Sequence, residues 1–238
     1  MKVSFWSLLS LLLFAMSTTQ AADEPKKVRL FILSGQSNMA GLNPDLSFTP
    51  EIKKAFPADE IIVVKHALGG QPIRRWDKQW QPPEGVAAPK GMTAQTSGDI
   101  YDALMKKVNE ATKDKKLTTI SFVWMQGERD AKEGYSAVYA DSLKRVLKQL
   151  RDDLKRPDLS FVIGRLSDNL KGQTHWDAVR ALQEKVAKDD PLGTWVDTDD
   201  LNGTKNDLHY NKEGYIELGK RFATKATELI RKEEKQQK

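Results

Sequence analysis

The chain of 238 residues is 39% hydrophobic and 30% charged, and its 38 Lys+Arg against 33 Asp+Glu leave a net charge of +5. Such a composition supplies a globular core and excludes collagen-like, low-complexity and wholly disordered chains. The nearly balanced charges show no basic stripe interleaved with aromatics, which argues against a nucleic-acid partner. Cys is absent, so a disulfide scaffold, a thiolate-bound metal and a cysteine nucleophile are excluded.

The first residues differ in character from the rest. Met1-Lys2 is a short positive start, Trp6–Met16 is an apolar run, and the small residues Thr19 and Ala21 precede the polar Ala22-Asp23-Glu24-Pro25. This is the order of a secretory signal peptide cleaved after Ala21. The apolar run falls short of the ~20 residues that a membrane span needs. We therefore expect residues 1–21 to be an export signal, residues 22–238 to form a single domain, and no membrane attachment after cleavage. The destination is periplasm or medium.

Short apolar runs rich in β-branched and aromatic residues then recur along the chain. Val28–Leu33, Ile61–Lys65, Thr119–Met125, Leu159–Gly164 and Thr194–Asp197 read as buried strands. Between and after them, apolar residues at three-to-four spacing predict helices over Ile100–Thr112, Tyr135–Leu154, Trp176–Ala187 and Tyr215–Ile230. The charged tail Arg231–Lys238 is expected to fray. Strand–helix alternation of this kind implies an α/β fold, a three-layer αβα sandwich around a central parallel sheet of about five strands. Two segments break the alternation, Gln71–Gly98 and Asp199–Asn211. In open α/β sheets ligands sit beyond the carboxyl ends of the strands, where such loops gather.

Four segments that follow strands or precede the last helix carry candidate chemistry. Ser34-Gly35-Gln36-Ser37-Asn38-Met39 places Ser37 at a tight turn into a helix, as a cap or as a nucleophile whose own amide faces an anionic oxygen. Ala67-Leu68-Gly69-Gly70-Gln71-Pro72-Ile73 offers a glycine pair where a backbone amide can approach a ligand. Trp124-Met125-Gln126-Gly127-Glu128-Arg129-Asp130-Ala131 puts an amide and a carboxylate at a third strand end. Asn206-Asp207-Leu208-His209-Tyr210-Asn211 contains His209, the one histidine of three (with His66 and His175) that stands in a polar loop with an acid two residues away.

Taken together the four segments resemble the four blocks of the SGNH hydrolase superfamily, in the branch of carbohydrate esterase family six and the sialate O-acetylesterase-like domains. The matching residues are Gly-Gln-Ser-Asn-Met at 35–39, Gly-Gly followed by Ile at 69–73, Trp-x-Gln-Gly-Glu-x-Asp-Ala at 124–131 and Asp-Leu-His-Tyr at 207–210. The resemblance spans nearly the whole chain after the signal. It implies a flavodoxin-like αβα serine esterase with Ser37 as nucleophile and His209 as base. The implied oxyanion hole consists of the Ser37 amide, the amide of Gly70 (or of its neighbour Gly69) and the Gln126 side chain. Such preorganised donors stabilise the negative tetrahedral intermediate, and a base activates the hydroxyl. Either Glu128 or Asp207 is the acid that orients His209.

Asn38, Gly69, Trp76 and Trp80 are candidate substrate contacts, the two indoles as stacking faces for sugar rings or as packing for the long loop. Arg74 and Arg75 read as an exposed charge pair or as partners for an acidic sugar. The implied activity is removal of O-acetyl groups from carbohydrate, with acetylated xylan first and acetylated sialic acid second, and without metal or organic cofactor. A catalytically silent glycan-binding module on the same fold, and an exported lipase or thioesterase, are the rival readings.

Overall fold

The computed structural model describes residues 26–90 and 97–236, so the export signal expected over residues 1–21 lies outside the described residues. Five strands, β1 (Val28–Gly35), β2 (Glu60–Ala67), β3 (Thr119–Met125), β4 (Ser160–Gly164) and β5 (Gly193–Val196), form one sheet in the order β2-β1-β3-β4-β5. Every neighbouring pair is parallel. The chain winds outward from β1 to β2, then returns past β1 to β3. The ends of β1 and β3 therefore flank the point where the strand order reverses, the crevice in which doubly wound sheets bind ligands.

Both faces of the sheet are covered, which is why its strands read as continuous apolar runs rather than alternating ones. Leu30 and Ile32 of β1 point to one side, with Trp124 and Ile163. There they pack beneath helices α3 (Asp99–Ala111), α5 (Ser136–Leu154) and α6 (Thr174–Asp189). Phe31 and Leu33 point to the other side, with Val123 and Val162, beneath α2 (Phe48–Ala55) and α7 (Lys212–Gln236). The long helices follow from their spacing: Tyr139, Leu143, Val146, Leu147 and Leu150 of α5 make one apolar stripe, and Leu218, Phe222, Ala226 and Leu229 of α7 make another.

Two departures from the sequence expectation have simple causes. The short helices α1 (Ser37–Gly41), α2 and α4 (Glu128–Glu133) span at most eight residues, too few turns to display a periodicity. The tail expected to fray beyond Ile230 instead continues α7 to Gln236. Glu234 is held there by Lys27 and Arg29, each at 2.8 Å. Arg29 is buried, and it also bonds Asp59 and lies 4.0 Å from the centre of the Phe56 ring. This cation is thus fully partnered at the end of the sheet opposite the site.

At the carboxyl end of β1 the two central strands nearly touch. Gly35 has φ +146°, and a Cβ there would lie 1.9 Å from the Met125 carbonyl oxygen. Gln36 N–H donates to that same oxygen at 2.9 Å. Only glycine fits both the conformation and the space. Gly35→Ala is therefore expected to lower unfolding stability by about 3 kcal/mol or more, because backbone must shift against backbone. Urea denaturation of the variant beside wild type checks this.

Candidate active site

Ser37 is the first residue of α1 and lies directly beyond the Gly35 crossing. The other end of α1 is fixed by Lys65 of β2, whose Nζ donates to the carbonyls of Ala40 and Leu42 at 2.9 and 2.5 Å. The glycine pair lies beside it. Leu68 N–H donates to Gly35 O at 3.1 Å, and a Cβ on Gly69 would stand 3.7 Å from the Ser37 Cβ. Gly70 is exposed, with φ +68° and no atom within 4 Å of the place a Cβ would take, so the loop turns there in the left-handed region over open space.

Asn38, the next residue, connects three of the four blocks. Its buried Nδ2 donates to Glu128 Oε1 at 3.0 Å and to the Leu208 carbonyl at 3.1 Å, while its Oδ1 accepts from the Tyr215 hydroxyl at 3.2 Å. The amide that follows the serine thus binds both the carboxylate of the third block and the residue preceding His209. Asn38 is 2% exposed, so its place is in this bridge rather than on a substrate.

The loop that carries Asp207 and His209 is fixed at its base. Arg180 and Arg165 both bond Asp199, and Asn202 Nδ2 donates to Ser167 Oγ at 2.8 Å. Asn169 Nδ2 reaches the Asn206 carbonyl at 2.5 Å. Asp207 and His209 are themselves exposed. Glu128 differs from Asp207 in setting: it is buried at the start of α4, and its Oε2 has no partner among the described residues. Burial pushes its carboxyl up to about 7 against the pull of the Asn38 hydrogen bond, with the Asp130 charge adding to the rise.

Gln126 requires a correction. It was expected to aim its amide at an oxyanion, but it is 0% exposed. Its Nε2 faces Asp130 Oδ2 at 2.5 Å, the Gln71 carbonyl at 3.1 Å and Gln36 Oε1 at 3.3 Å. An amide has two hydrogens, and both have protein acceptors here. Trp76 and Trp80, expected as possible sugar platforms, are 0% and 1% exposed. Trp76 stands edge-on to Trp124 and donates Nε1–H to Ser34 Oγ at 2.9 Å, and Trp80 stands edge-on to Tyr135. The two indoles pack the long loop onto the sheet and offer no face to a ligand. Arg74 and Arg75 are likewise committed, to Glu133 and Asp99.

Two residues with a part in this arrangement lay inside the quoted motifs without a role assigned to them. Gln36 accepts the Arg129 N–H at 3.2 Å, which joins the end of β1 to α4. Asp130 accepts the Ile73 N–H at 2.9 Å as well as the Gln126 amide. The four-residue spacing of Gln126 and Asp130 is the sequence signal that they meet on one side of a turn.

The sequence profile described as carbohydrate esterase, sialic acid-specific acetylesterase matches residues 40–228. The chain belongs to this family of carbohydrate esterases. A probable carbohydrate esterase of Arabidopsis thaliana is 23% identical over 204 residues, 84% of this chain and 67% of the plant protein. The crystal structure of that plant protein aligns at TM-score 0.65 and 20% identity, over 83% of this chain and 97% of the other. A carbohydrate acetylesterase from Xanthomonas citri aligns at 0.61 and 16% identity, over 82% and 54%. A family 3 carbohydrate esterase from Clostridium thermocellum aligns at 0.53 and 11% identity, over 86% and 99%. At these identities the structures establish the shared fold, the parallel αβα sandwich expected from the strand–helix alternation.

The buried carboxyl of Glu128 has a consequence for stability. Its folded pKa lies above the ordinary 4.5, so the folded protein holds the proton more tightly than the unfolded chain. The Glu128 contribution to stability is then fully present below about pH 4.5 and is lost as pH rises through about 7. Glu128→Gln should flatten this fall and gain on wild type by a few kcal/mol between pH 5 and pH 8, read by urea denaturation at both values. An equally steep fall in the variant would show that the carboxylate is well solvated or paired.

Proposed function

We propose that the chain is an exported serine esterase that removes O-acetyl groups from carbohydrate through an acyl-serine intermediate. The observation that carries the reading is the Asn38 bridge, which gathers the third and fourth blocks around the residue next to Ser37. In this reading Ser37 Oγ attacks the acetyl carbonyl carbon while His209 takes the hydroxyl proton. The tetrahedral oxyanion is met by the Ser37 and Gly70 amides. As the carbon–oxygen bond to the sugar breaks, His209 returns the proton to the departing sugar oxygen. Water then attacks the acetyl-serine by the same route, and acetate leaves.

Acetylated xylan is the first substrate proposed and an acetylated sialic acid the second. The description of the matching family favours the acidic sugar. The pairing of Arg74 and Arg75 with carboxylates favours the neutral one, since neither guanidinium is left for a substrate acid. The residue order at 1–21 supports export. Acetate release over a panel of acetylated xylan, acetylated sialic acid and longer acyl esters separates the substrates, and a silent binding module would release none. Ser37→Ala should abolish release with the fold retained, and a serine-directed organophosphonate should label wild type at Ser37. Labelling elsewhere, or full activity in the variant, overturns the proposal.

For the acid we propose Glu128, because it is buried and shares the Asn38 amide with the carbonyl of Leu208, the residue before His209, while Asp207 is exposed. Glu128→Gln should cost on the order of 10⁴-fold in turnover, as an amide neither fixes the imidazole tautomer nor stabilises its cation. Asp207→Asn should stay within about threefold, and the double variant should be scarcely worse than Glu128→Gln, since members of a triad act as a unit. Reversed severities in a kcat comparison would assign the role to Asp207.

A further inference from the structure

We infer that Asp130 is a positioning residue that, through Ile73 and Gln126, holds the Gly69–Gly70 loop in register beside Ser37. The inference rests on the serine-esterase reading above. Asp130 is 0% exposed, and among the described residues it forms no ion pair; the guanidinium of nearby Arg74 is bonded to Glu133 at 2.6 Å. A buried carboxylate without a cation is costly. What the carboxylate supplies is an acceptor. Oδ2 receives the Ile73 N–H at 2.9 Å and the Gln126 amide, and Gln126 passes its other hydrogen to the Gln71 carbonyl at 3.1 Å. The residues on both sides of Pro72 are thereby tied to α4.

The far end of the same loop is tied to β1 by the Leu68 N–H on Gly35 O. Between these two anchors stand only Gly69 and Gly70, which have no side chains to pack. Within the span, among the described residues, Gln71 Nε2 also donates to the Gly69 carbonyl at 3.1 Å, and Gln71 Oε1 accepts from Arg75 Nη1 at 2.6 Å, on the Ile73 side of the loop. The position of the Gly70 amide relative to Ser37 is therefore set by its anchors, and releasing the Asp130 end lets it drift. A donor aimed at charge that develops only in the transition state affects turnover when displaced and leaves substrate affinity largely alone.

The test is hydrolysis of p-nitrophenyl acetate by wild type, Asp130→Ala, Asp130→Leu, Asp130→Asn and Ser37→Ala, with kcat and KM measured separately. Deuterium exchange is followed in peptides covering Gly69–Ile73. Asp130→Ala should lose on the order of 10- to 100-fold in kcat with KM within about threefold, and the loop amides should exchange faster. Asp130→Asn keeps an oxygen where Oδ2 accepts, and should restore kcat to within about threefold of wild type and restore protection. Should Asp130→Ala fail to fold, Asp130→Leu fills the space without a charge and should show the same loss of kcat in a variant whose fold is checked by circular dichroism. Wild-type kcat in either apolar variant overturns the inference, as does an Asp130→Asn variant no better than Asp130→Ala. Hydrolysis undiminished in Ser37→Ala overturns the serine-esterase reading itself, and the inference with it.

Discussion

The contact on which the site depends is the approach of two backbones, Gly35 at the end of β1 and Met125 at the end of β3. A parallel sheet holds its strands at a fixed spacing, but here the chain leaving β1 bends across the end of its neighbour. The Gln36 N–H still donates to the Met125 carbonyl, the last bond of the β1–β3 ladder. The bend directs Ser37 out of the sheet and into a five-residue helix, while Gln126–Glu128 emerges from β3 directly alongside. The reversal of strand order opens a crevice at the same place, so the fold sets aside space where the polar residues accumulate.

Around that crossing the third block divides its labour by helical geometry. Glu128 and Asp130 are two residues apart at the start of α4, and residues so spaced on a helix do not share a face. One carboxylate bonds Asn38, which in turn bonds the loop of His209; the other bonds Ile73 and Gln126, at the edge of the glycine loop. Burial raises both carboxyls to about 7. One six-residue helix thus reaches the two loops on either side of the serine. The remaining oxygens of the block, Gln126 Oε1, Glu128 Oε2 and Asp130 Oδ1, are buried without protein partners among the described residues. Polar groups in that state reduce stability and concentrate where a protein acts on a ligand.

The opposite end of the sheet is built on another plan. There Arg29, although buried, is met by Asp59, Glu234 and Thr119 and stacks on Phe56. Its charges are matched and its donors used, and α7 is secured to the start of β1. The carboxyl ends of the strands carry Glu128 and Asp130, buried without a cation, beside exposed loops; the amino ends carry the Arg29 ion pairs, with one oxygen of the neighbouring Glu233 buried without a partner among the described residues.

The sequence by itself determined the class of fold, because five apolar runs buried on both faces and four amphipathic stripes have one economical arrangement, a parallel sheet between helical layers. It also singled out Ser37, the glycine pair, Glu128 and His209, since glycine and polar clusters immediately after apolar runs mark strand ends. The short helices α1, α2 and α4 were not legible, as one or two turns carry no period. Only the tertiary structure decided what each polar side chain touches. Gln126 stands where an oxyanion donor would be expected, yet its neighbours Asp130 and Gln71 claim both of its hydrogens. Trp76 and Trp80 have the composition of a sugar platform, yet the long loop folds them inward onto the sheet. Asn38, which the chain marks only as a candidate substrate contact, proves to be the link between the serine helix, α4 and the histidine loop. The physical reason is common to all three. Hydrophobic period and turn chemistry are local properties and can be read along the chain, whereas a hydrogen bond between residues 90 or 170 positions apart exists only after the sheet has brought its strand ends together.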